Sequence, residues 1–220
     1  MSRVFYDAGT WMQEHILNIA VLGAGALGCA IGGTLAEAGH EVLLINRNAA
    51  HVQAINTHGL LMRGPQGERT VRARAAVNAE GQSPVDLVIV LVKSFHTASA
   101  MQAATALVGP DTVVLSLQNG LGHEDILADI VGRSHVLAGK TYAGGVMLGP
   151  GQIIRGTEGK DTHIGELNGR MTDRVQRIAQ AFNAAGLLTH ISDNIMGTMW
   201  DKLLVNVATG ALSGITRLTY

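Results

Sequence analysis

Short apolar runs alternate with segments of helical periodicity along most of the chain. The apolar runs are rich in Val, Ile and Leu and lie at 19–22, 41–45, 86–92, 112–117 and 136–139. Between them, apolar residues recur at helical spacing at 26–38, 49–57, 96–107 and 121–131. Strands that are apolar at nearly every position are typical of a parallel sheet with both faces covered. The alternation therefore predicts an α/β fold, a Rossmann-type doubly wound and mostly parallel sheet.

Other predicted elements have weaker patterns. A hairpin is predicted with arms at 60–63 and 69–77 around the turn GPQG, and we expect it to decorate the edge of the sheet. Beyond residue 150 the predicted elements are two strands and two helices, at 152–155, 162–165, 172–185 and 194–213.

Three glycines in the hexapeptide GAGALG, residues 23–28, join the first strand to the first helix. In such a βαβ unit the first glycine makes the tight turn, the second lets the backbone approach a pyrophosphate, and the third packs helix against strand. The helix N-terminus then directs free amides at the anion. Because a second strand follows at 41–45, the pattern favours a dinucleotide site over the alternative, a glycine-rich packing segment without a ligand.

The end of the second strand distinguishes between the two nicotinamide cofactors. An NAD site places Asp or Glu there, about 20 residues beyond the glycines, to bind the ribose hydroxyls. This chain has Asn46, Arg47 and Asn48 instead. A guanidinium pairs with a 2′-phosphate through charge-assisted hydrogen bonds, so we expect NADP(H). The alternative is that Arg47 is a solvated surface residue.

Composition and charge narrow the partners. The 220 residues carry a net charge of -1 and only 15% are charged, so we expect a small-molecule ligand and no nucleic acid. A single cysteine allows no disulfide framework and fits a cytoplasmic protein. The N-terminus lacks the apolar core of a signal peptide, and the sequence predicts no transmembrane segment and no metal site.

The elements divide the chain into three parts. Residues 1–17 are predicted to be an N-terminal extension and 18–192 an NADP-binding Rossmann-like domain. Residues 193–220 are predicted to begin a helical substrate domain, because a doubly wound domain usually receives substrate contacts from across a cleft. We therefore expect a fragment of a longer protein, whose exposed apolar surface favours self-association, for example as a homodimer.

The last predicted helix carries the main candidate for acid–base chemistry. Lys202, Asn206 and Gly210 are spaced i, i+4 and i+8, so they share one stripe of the helix. A half-buried lysine beside a nicotinamide can bind the carbonyl of a 2-oxo acid and donate a proton as hydride arrives. The alternative is a lysine whose stem packs while its ammonium group stays in water.

Two more candidates follow strands of the predicted sheet, at the edge where doubly wound folds bind ligands. Lys93 follows the strand at 86–92, and Asn119 follows the strand at 112–117. Both positions suit the edge of a cofactor. The alternatives are an exposed charge at Lys93 and a simple turn dipeptide at Asn119 and Gly120.

Five motifs together extend the argument beyond single positions. In chain order they are VLGAGALG at 21–28, LVK at 91–93, QNGLG at 118–122, MLGPG at 147–151 and WDKLLVN at 200–206. In order and spacing the chain resembles the ketopantoate reductase (2-dehydropantoate 2-reductase) family, over nearly its whole length from Asn18. The resemblance implies an NADPH-dependent oxidoreductase with an N-terminal dinucleotide domain and a helical C-terminal domain.

The resemblance also implies roles for individual residues. Lys202 corresponds to the family's general acid, and it binds substrate together with Asn119 and Asn206. The implied cofactor-binding positions are Gly23, Ala24, Gly25, Ala26, Leu27, Gly28, Arg47, Lys93, Asn119 and Gly145. Gly210 and Tyr220 stand where the family has substrate-binding asparagines. Both replacements change polar contacts that decide selectivity, so the expected substrate is ketopantoate or a related 2-oxo acid.

Two other functions stay open at this point. A non-catalytic NADP-binding module or redox sensor would keep the glycine loop and Arg47 but reduce no 2-oxo acid. A 3-hydroxyacid or sugar-acid dehydrogenase on the same two-domain plan would keep the fold and change the substrate.

Overall fold

A computed structural model describes residues 16–217, so 1–15 of the predicted extension and 218–220 lie outside the description. The described strands are β1 Asn18–Leu22, β2 Glu41–Ile45, β3 Leu60–Gly64, β4 Gly67–Val71, β5 Arg74–Ala76, β6 Leu87–Val90, β7 Val113–Ser116, β8 Val136–Thr141, β9 Gly144–Gly149, β10 Gln152–Gly156, β11 Thr162–Glu166 and β12 Thr189–Ile191. The described α-helices are α1 Ala26–Glu37, α2 Ala49–His58, α3 Thr97–Gln102, α4 His123–Val131, α5 Asp173–Ala184 and α6 Ile195–Thr216.

Eight strands form the main sheet, in the order β12-β11-β8-β7-β6-β1-β2-β5. The six strands from β8 to β5 are mutually parallel. β11 joins β8 antiparallel, and β12 runs parallel to β11. From the central β1 the chain builds the sheet first toward β2 and β5, and then on the other side toward β6, β7 and β8. This is the Rossmann-type doubly wound arrangement, and the predicted fold class is confirmed.

Both faces of the main sheet are covered. Val21 of β1 lies in one apolar cluster with Leu35 of α1 and Phe182 of α5. The next residue, Leu22, lies in a second cluster with Leu127 of α4. Because successive strand residues point to opposite faces, a strand covered on both sides is apolar at every position. Coverage of both faces therefore explains the continuous apolar runs in the sequence.

The predicted hairpin forms, but the prediction of its second arm and of its place in the fold was wrong. β3 and β4 pair antiparallel and join β10 and β9 in a separate sheet of four strands. After a break at residues 72 and 73, β5 pairs parallel with β2 at the edge of the main sheet. Leu60 and Met62 of β3 are buried, and a Cβ on Gly33 of α1 would lie 2.6 Å from the Met62 sulfur. Packing against α1 therefore holds the hairpin away from the main sheet.

Two strands and one helix break were missed. β9 is rich in glycine and β12 has only three residues, so neither has a clear strand pattern. The helix predicted at 96–107 is interrupted. The structure has a short α3 between 3₁₀ turns at 94–96 and 105–107. The hydroxyls of Thr97 and Thr105 donate to backbone carbonyls three residues earlier, a local hydrogen bond that competes with helix formation.

The last helix is packed mainly at its start. Ile195 and Met199 of α6 are buried with Ala138 of β8. The large apolar side chains farther along α6 are exposed, namely Leu204, Val205, Val207, Leu212 and Ile215. Although α6 is long and rich in apolar residues, neither it nor any other helix between residues 16 and 217 is suited to cross a membrane. The division into domains at residue 193 stays a prediction.

Candidate active site

The glycine loop lies at the carboxyl end of β1, in the middle of the main sheet. Gly23 has a φ of 103°, in the left-handed region that favours glycine. A Cβ on Gly23 would lie 2.5 Å from the amide nitrogen of Val92, so there is no room for a side chain. The amides of Gly23 and Ala24 donate to the carbonyl of Ile45 at 3.2 and 2.8 Å. These bonds hold the loop against the end of β2.

The other two glycines of the loop differ in their surroundings. A Cβ on Gly28 would lie 2.5 Å from the carbonyl oxygen of Gly23, so α1 packs directly against the loop. Around a Cβ position on Gly25, the N-cap of α1, no atom of the described chain outside residues 24–26 lies within 4 Å. No side chain caps α1, and its first turn contains no acidic residue. Amides without intrahelical partners beside this open space form a cradle that fits a pyrophosphate.

A basic group lies where β2 and β6 end. Arg47 Nη2 donates to His96 Nε2 at 3.0 Å. The amide of His96 donates to the carbonyl of Lys93 at 2.8 Å, so the three residues are neighbours. Arg47 and Lys93 are exposed, which leaves them accessible to an anion. His96 was not predicted, because only the tertiary pairing with Arg47 brings it to this group.

Lys202, on α6, reaches the same edge of the main sheet. Its Nζ donates to Asn119 Oδ1 at 2.7 Å and to the carbonyl oxygen of Thr141 at 2.6 Å. Burial lowers the pKa of Lys202, and the positive charge of Lys140 lowers it further. A lysine with a lowered pKa gives up its proton more readily near neutral pH. Because the Lys202 ammonium group has two protein partners, it is not the ammonium group in water that the alternative describes.

Two glycines shape the loop that carries Asn119. Gly120 and Gly122 have φ values of 103° and 86°, so α4 begins two residues later than predicted. Gln118 is buried, and its Nε2 donates at 2.9 Å to a backbone carbonyl just beyond β6. The loop is thereby fixed on one side, and Asn119 accepts its hydrogen bond from Lys202 on the other. The asparagine is therefore more than a turn residue.

Two residues that were not predicted belong to the same site. Lys140 of β8 is only 8% exposed, and its Nζ donates to the Tyr142 hydroxyl at 3.4 Å. The Nζ atoms of Lys140 and Lys202 lie 5.2 and 5.5 Å from the centroid of the Tyr142 ring. Lys140 did have one sequence signal. It is a charged residue directly after the apolar run 136–139, and lysine is rarely buried in proteins.

The remaining predicted residues lie around these two groups. Asn206, one turn after Lys202, is exposed and borders the same small pocket as Asn119. Gly145 of β9 packs against the start of α1, where a Cβ would lie 2.8 Å from the carbonyl oxygen of Ala26. The other loop positions, Ala24, Ala26 and Leu27, are buried or half-buried. The carboxyl ends of the parallel strands β1, β2, β6 and β7 thus bring the glycine loop, Arg47, Lys93 and Asn119 to one edge of the sheet, and Lys202 of α6 bonds to Asn119 there.

The sequence profile of the family described as ketopantoate reductase PanE/ApbA matches residues 19–169, which contain the glycine loop, Arg47 and Asn119. This chain belongs to the ketopantoate reductase family. The family resemblance that the five motifs indicated is therefore confirmed.

Individual members of the ketopantoate reductase family show the extent of the similarity. A 2-dehydropantoate 2-reductase of Pyrococcus horikoshii is 37% identical over 199 residues, which cover 90% of this chain and 64% of the relative. A PanE/ApbA family ketopantoate reductase from Ralstonia eutropha JMP134 has a crystal structure that matches with a TM-score of 0.81 and 38% identity, over 91% of this chain and 64% of that one.

A solved ternary complex is also similar. It is described as D-mandelate dehydrogenase with NADH and anilino(oxo)acetate, and it matches with a TM-score of 0.84 and 32% identity. The match covers 91% of this chain and 64% of that one. The chain therefore spans less than two thirds of the length of these relatives.

Glu124, in the first turn of α4, is a buried carboxyl group outside this site. It is 2% exposed, and neither carboxylate oxygen has a hydrogen-bond partner within residues 16–217. Burial is the main cause that raises the pKa of Glu124. The folded protein therefore keeps this carboxyl neutral over a pH range in which the unfolded chain carries the charge.

The substitution Glu124→Gln should remove part of the pH dependence of stability. Because the pKa is raised by folding, the wild-type contribution is fully present below the unfolded pKa and is lost as pH rises through the folded pKa. The amide cannot ionise, so the variant should be more stable than wild type at neutral and alkaline pH. Urea unfolding over a pH series measures this difference.

The matched control for this test is Asp129→Asn, at an exposed carboxyl on the same helix. This control should keep the wild-type pH dependence. An unchanged pH dependence in Glu124→Gln as well would mean that Glu124 is ionised in the folded protein, contrary to the prediction.

Proposed function

We propose that the protein reduces the keto group of a 2-oxo acid, ketopantoate or a related compound, with NADPH as the hydride donor. The observation that carries the proposal is the Lys202 ammonium group, held by Asn119 and Thr141 at the same sheet edge as the glycine loop. The names of the relatives, a 2-dehydropantoate 2-reductase and a D-mandelate dehydrogenase, support this reaction class. In this proposal, residues 18–192 bind the cofactor and 193–217 begin the substrate side.

Two groups of residues hold the cofactor in this proposal. Gly25 and the first amides of α1 bind the pyrophosphate. Arg47, Lys93 and His96 contact the phosphate on the adenosine side, for which a guanidinium is well suited. When bound, the nicotinamide supplies the hydride that adds to the carbonyl carbon.

The chain's own residues manage the proton and the orientation of the substrate. Lys202 donates a proton to the carbonyl oxygen as negative charge develops there, and a 2-hydroxy acid results. Asn119 holds the Lys202 ammonium group in place, while Asn206 on the next turn of α6 hydrogen-bonds the substrate. The lowered pKa of Lys202 favours proton donation near neutral pH, and water returns the proton afterwards.

The substitution Arg47→Gln should weaken NADPH binding by about ten- to a hundredfold and leave NADH binding almost unchanged. A hydrogen bond to a charged group contributes about 1.5–3 kcal/mol, and only NADPH carries the phosphate that Arg47 contacts. Fluorescence titrations with both cofactors at matched ionic strength measure the two affinities.

Arg177→Gln provides the control for this titration, because Arg177 is exposed on α5 and its loss changes the net charge equally. It should bind both cofactors as wild type does. An equal loss of NADPH and NADH affinity in Arg47→Gln would contradict a specific contact with the 2′-phosphate.

Turnover tests the reaction itself. The purified chain is mixed with NADPH and a series of 2-oxo acids that begins with ketopantoate, and cofactor oxidation and the hydroxy acid product are both measured. Product formed in equal amount to the oxidised cofactor supports the proposal. Tight NADPH binding with no product from any 2-oxo acid would instead support a non-catalytic NADP-binding module.

A further inference from the structure

The substrate side of the site carries an excess of positive charge. The ammonium groups of Lys140 and Lys202 lie on the same aromatic ring, that of Tyr142. Among the ion pairs formed by residues 16–217, none includes either lysine. Buried charges in proteins are normally paired, so two lysines that share a site without a carboxylate need an explanation.

The elements packed around Lys140 do not supply the missing negative charge. His163 lies directly opposite Lys140 in the β8–β11 pair. Burial lowers the pKa of His163, and the charge of Lys140 lowers it further. α6 contributes Lys202, whose partners are a neutral amide and a carbonyl. Asp161, the acid whose charge acts on His163, pairs with His190 at 3.5 Å.

We propose that Lys140 binds the carboxylate of the substrate next to Lys202, and that it thereby selects anionic 2-oxo acids over neutral carbonyl compounds. The identity of the ligand rests on the proposed function, whereas the need for an anion rests on the unpaired charges. In a 2-oxo acid the carboxylate and the keto group are on adjacent carbon atoms. A single small ligand can therefore place its carboxylate at Lys140 and the Tyr142 hydroxyl while its keto oxygen meets Lys202.

This arrangement also links substrate binding to proton transfer. In the free protein the charge of Lys140 disfavours the protonated form of Lys202. A carboxylate bound to Lys140 offsets that repulsion, so Lys202 stays protonated until it donates the proton to the keto oxygen. A neutral carbonyl compound leaves the repulsion in place. Lys140 is thus a positioning residue for Lys202 as well as a contact of the substrate.

A binding experiment without turnover tests the proposal. Oxamate serves as an unreactive analogue of a 2-oxo acid, and oxamide is its neutral counterpart. NMR titrations of the chain with saturating NADP⁺, and of the chain alone, measure both affinities. In Lys140→Gln we expect oxamate binding to fall by about ten- to a hundredfold while oxamide binding stays the same. Lys140→Arg, which keeps the charge, should retain most of the oxamate affinity.

Two controls separate this effect from damage to the fold. Arg177→Gln removes one positive charge on α5, which packs on the other face of the main sheet, and should bind oxamate as wild type does. Lys140→Met removes the charge with an apolar side chain of similar length and provides a second variant if Lys140→Gln does not fold. Urea unfolding of each variant checks the fold directly.

The titration of Lys202, followed by NMR of methylated lysines, is a second readout that a purely structural role would not change. Its pKa should rise in Lys140→Gln, because a neighbouring positive charge is gone. Oxamate should raise the pKa of Lys202 in wild type and have little effect on it in the variant.

The outcomes distinguish this proposal from the proposed function. If the wild-type chain reduces no 2-oxo acid but binds oxamate through Lys140, the anion site stands and the reductase proposal fails. If wild type binds no oxamate, or if Lys140→Gln binds it as tightly as wild type, the carboxylate site is overturned. Equal losses of oxamate and oxamide affinity would also overturn it.

Discussion

Replacing Lys202 by methionine should lower kcat for 2-oxo acid reduction by at least about a hundredfold, the usual contribution of a positioned general acid. Methionine keeps the length of the side chain but provides no proton and no donor for Asn119 and Thr141. NADPH binding should change little, because the glycine loop and Arg47 lie at other strand ends. Single-turnover kinetics with saturating NADPH separate the chemical step from binding.

The pH dependence of kcat/KM gives a second test of Lys202. A general acid must be protonated, so kcat/KM, which reports the pKa values of the free protein, should fall as pH rises through the Lys202 pKa, which burial and Lys140 place below the usual range of a lysine. Lys160→Met, at an exposed lysine outside the site, is the matched control and should keep the wild-type kcat and pH profile. A wild-type kcat in Lys202→Met would eliminate Lys202 as the acid.

The substitution Gly25→Ala should weaken NADPH binding by about ten- to a hundredfold or more while the protein stays as stable as wild type. The methyl group would enter the open space beside the first turn of α1, which we assign to the pyrophosphate, and overpacking costs about 1–3 kcal/mol. The fold tolerates alanine there, because φ is -76° and no atom of the described residues other than 24–26 lies within 4 Å of the new Cβ.

Gly23→Ala, two residues earlier, is the matched comparison, and it should lower the stability of the protein. Its φ of 103° is unfavourable for alanine, and the new Cβ would lie 2.5 Å from the Val92 amide nitrogen. We expect this variant to lose about 1–3 kcal/mol or more of unfolding free energy.

Urea unfolding and NADPH titration of both variants measure the two effects independently. A Gly25→Ala protein that binds NADPH as tightly as wild type would mean that the cofactor phosphates do not lie in this cradle. A Gly23→Ala protein with wild-type stability would contradict the tight packing of the loop against the chain after β6.

Neighbouring residues alone were enough to predict much of the fold. The requirements of the loop at 23–28, a left-handed turn and close helix packing, fall within six consecutive residues. The runs at 19–22, 86–92 and 112–117 are apolar at nearly every position because both faces of the sheet are covered. Periodicity therefore predicted the doubly wound sheet, and motif spacing indicated Lys202.

Contacts between distant segments decided the remaining features. The β3–β4 hairpin joined a second sheet because α1 and β10 pack against it, which its own turn sequence does not encode. His96 belongs to the basic group because it accepts a hydrogen bond from Arg47. Lys140 lies near Lys202 because α6 contacts the end of β8 through the bond from Lys202 to Thr141. The lowered pKa of Lys202 likewise depends on burial and on a charge from another strand. Local sequence carries turn and periodicity preferences, whereas charge environment and sheet membership follow from long-range packing.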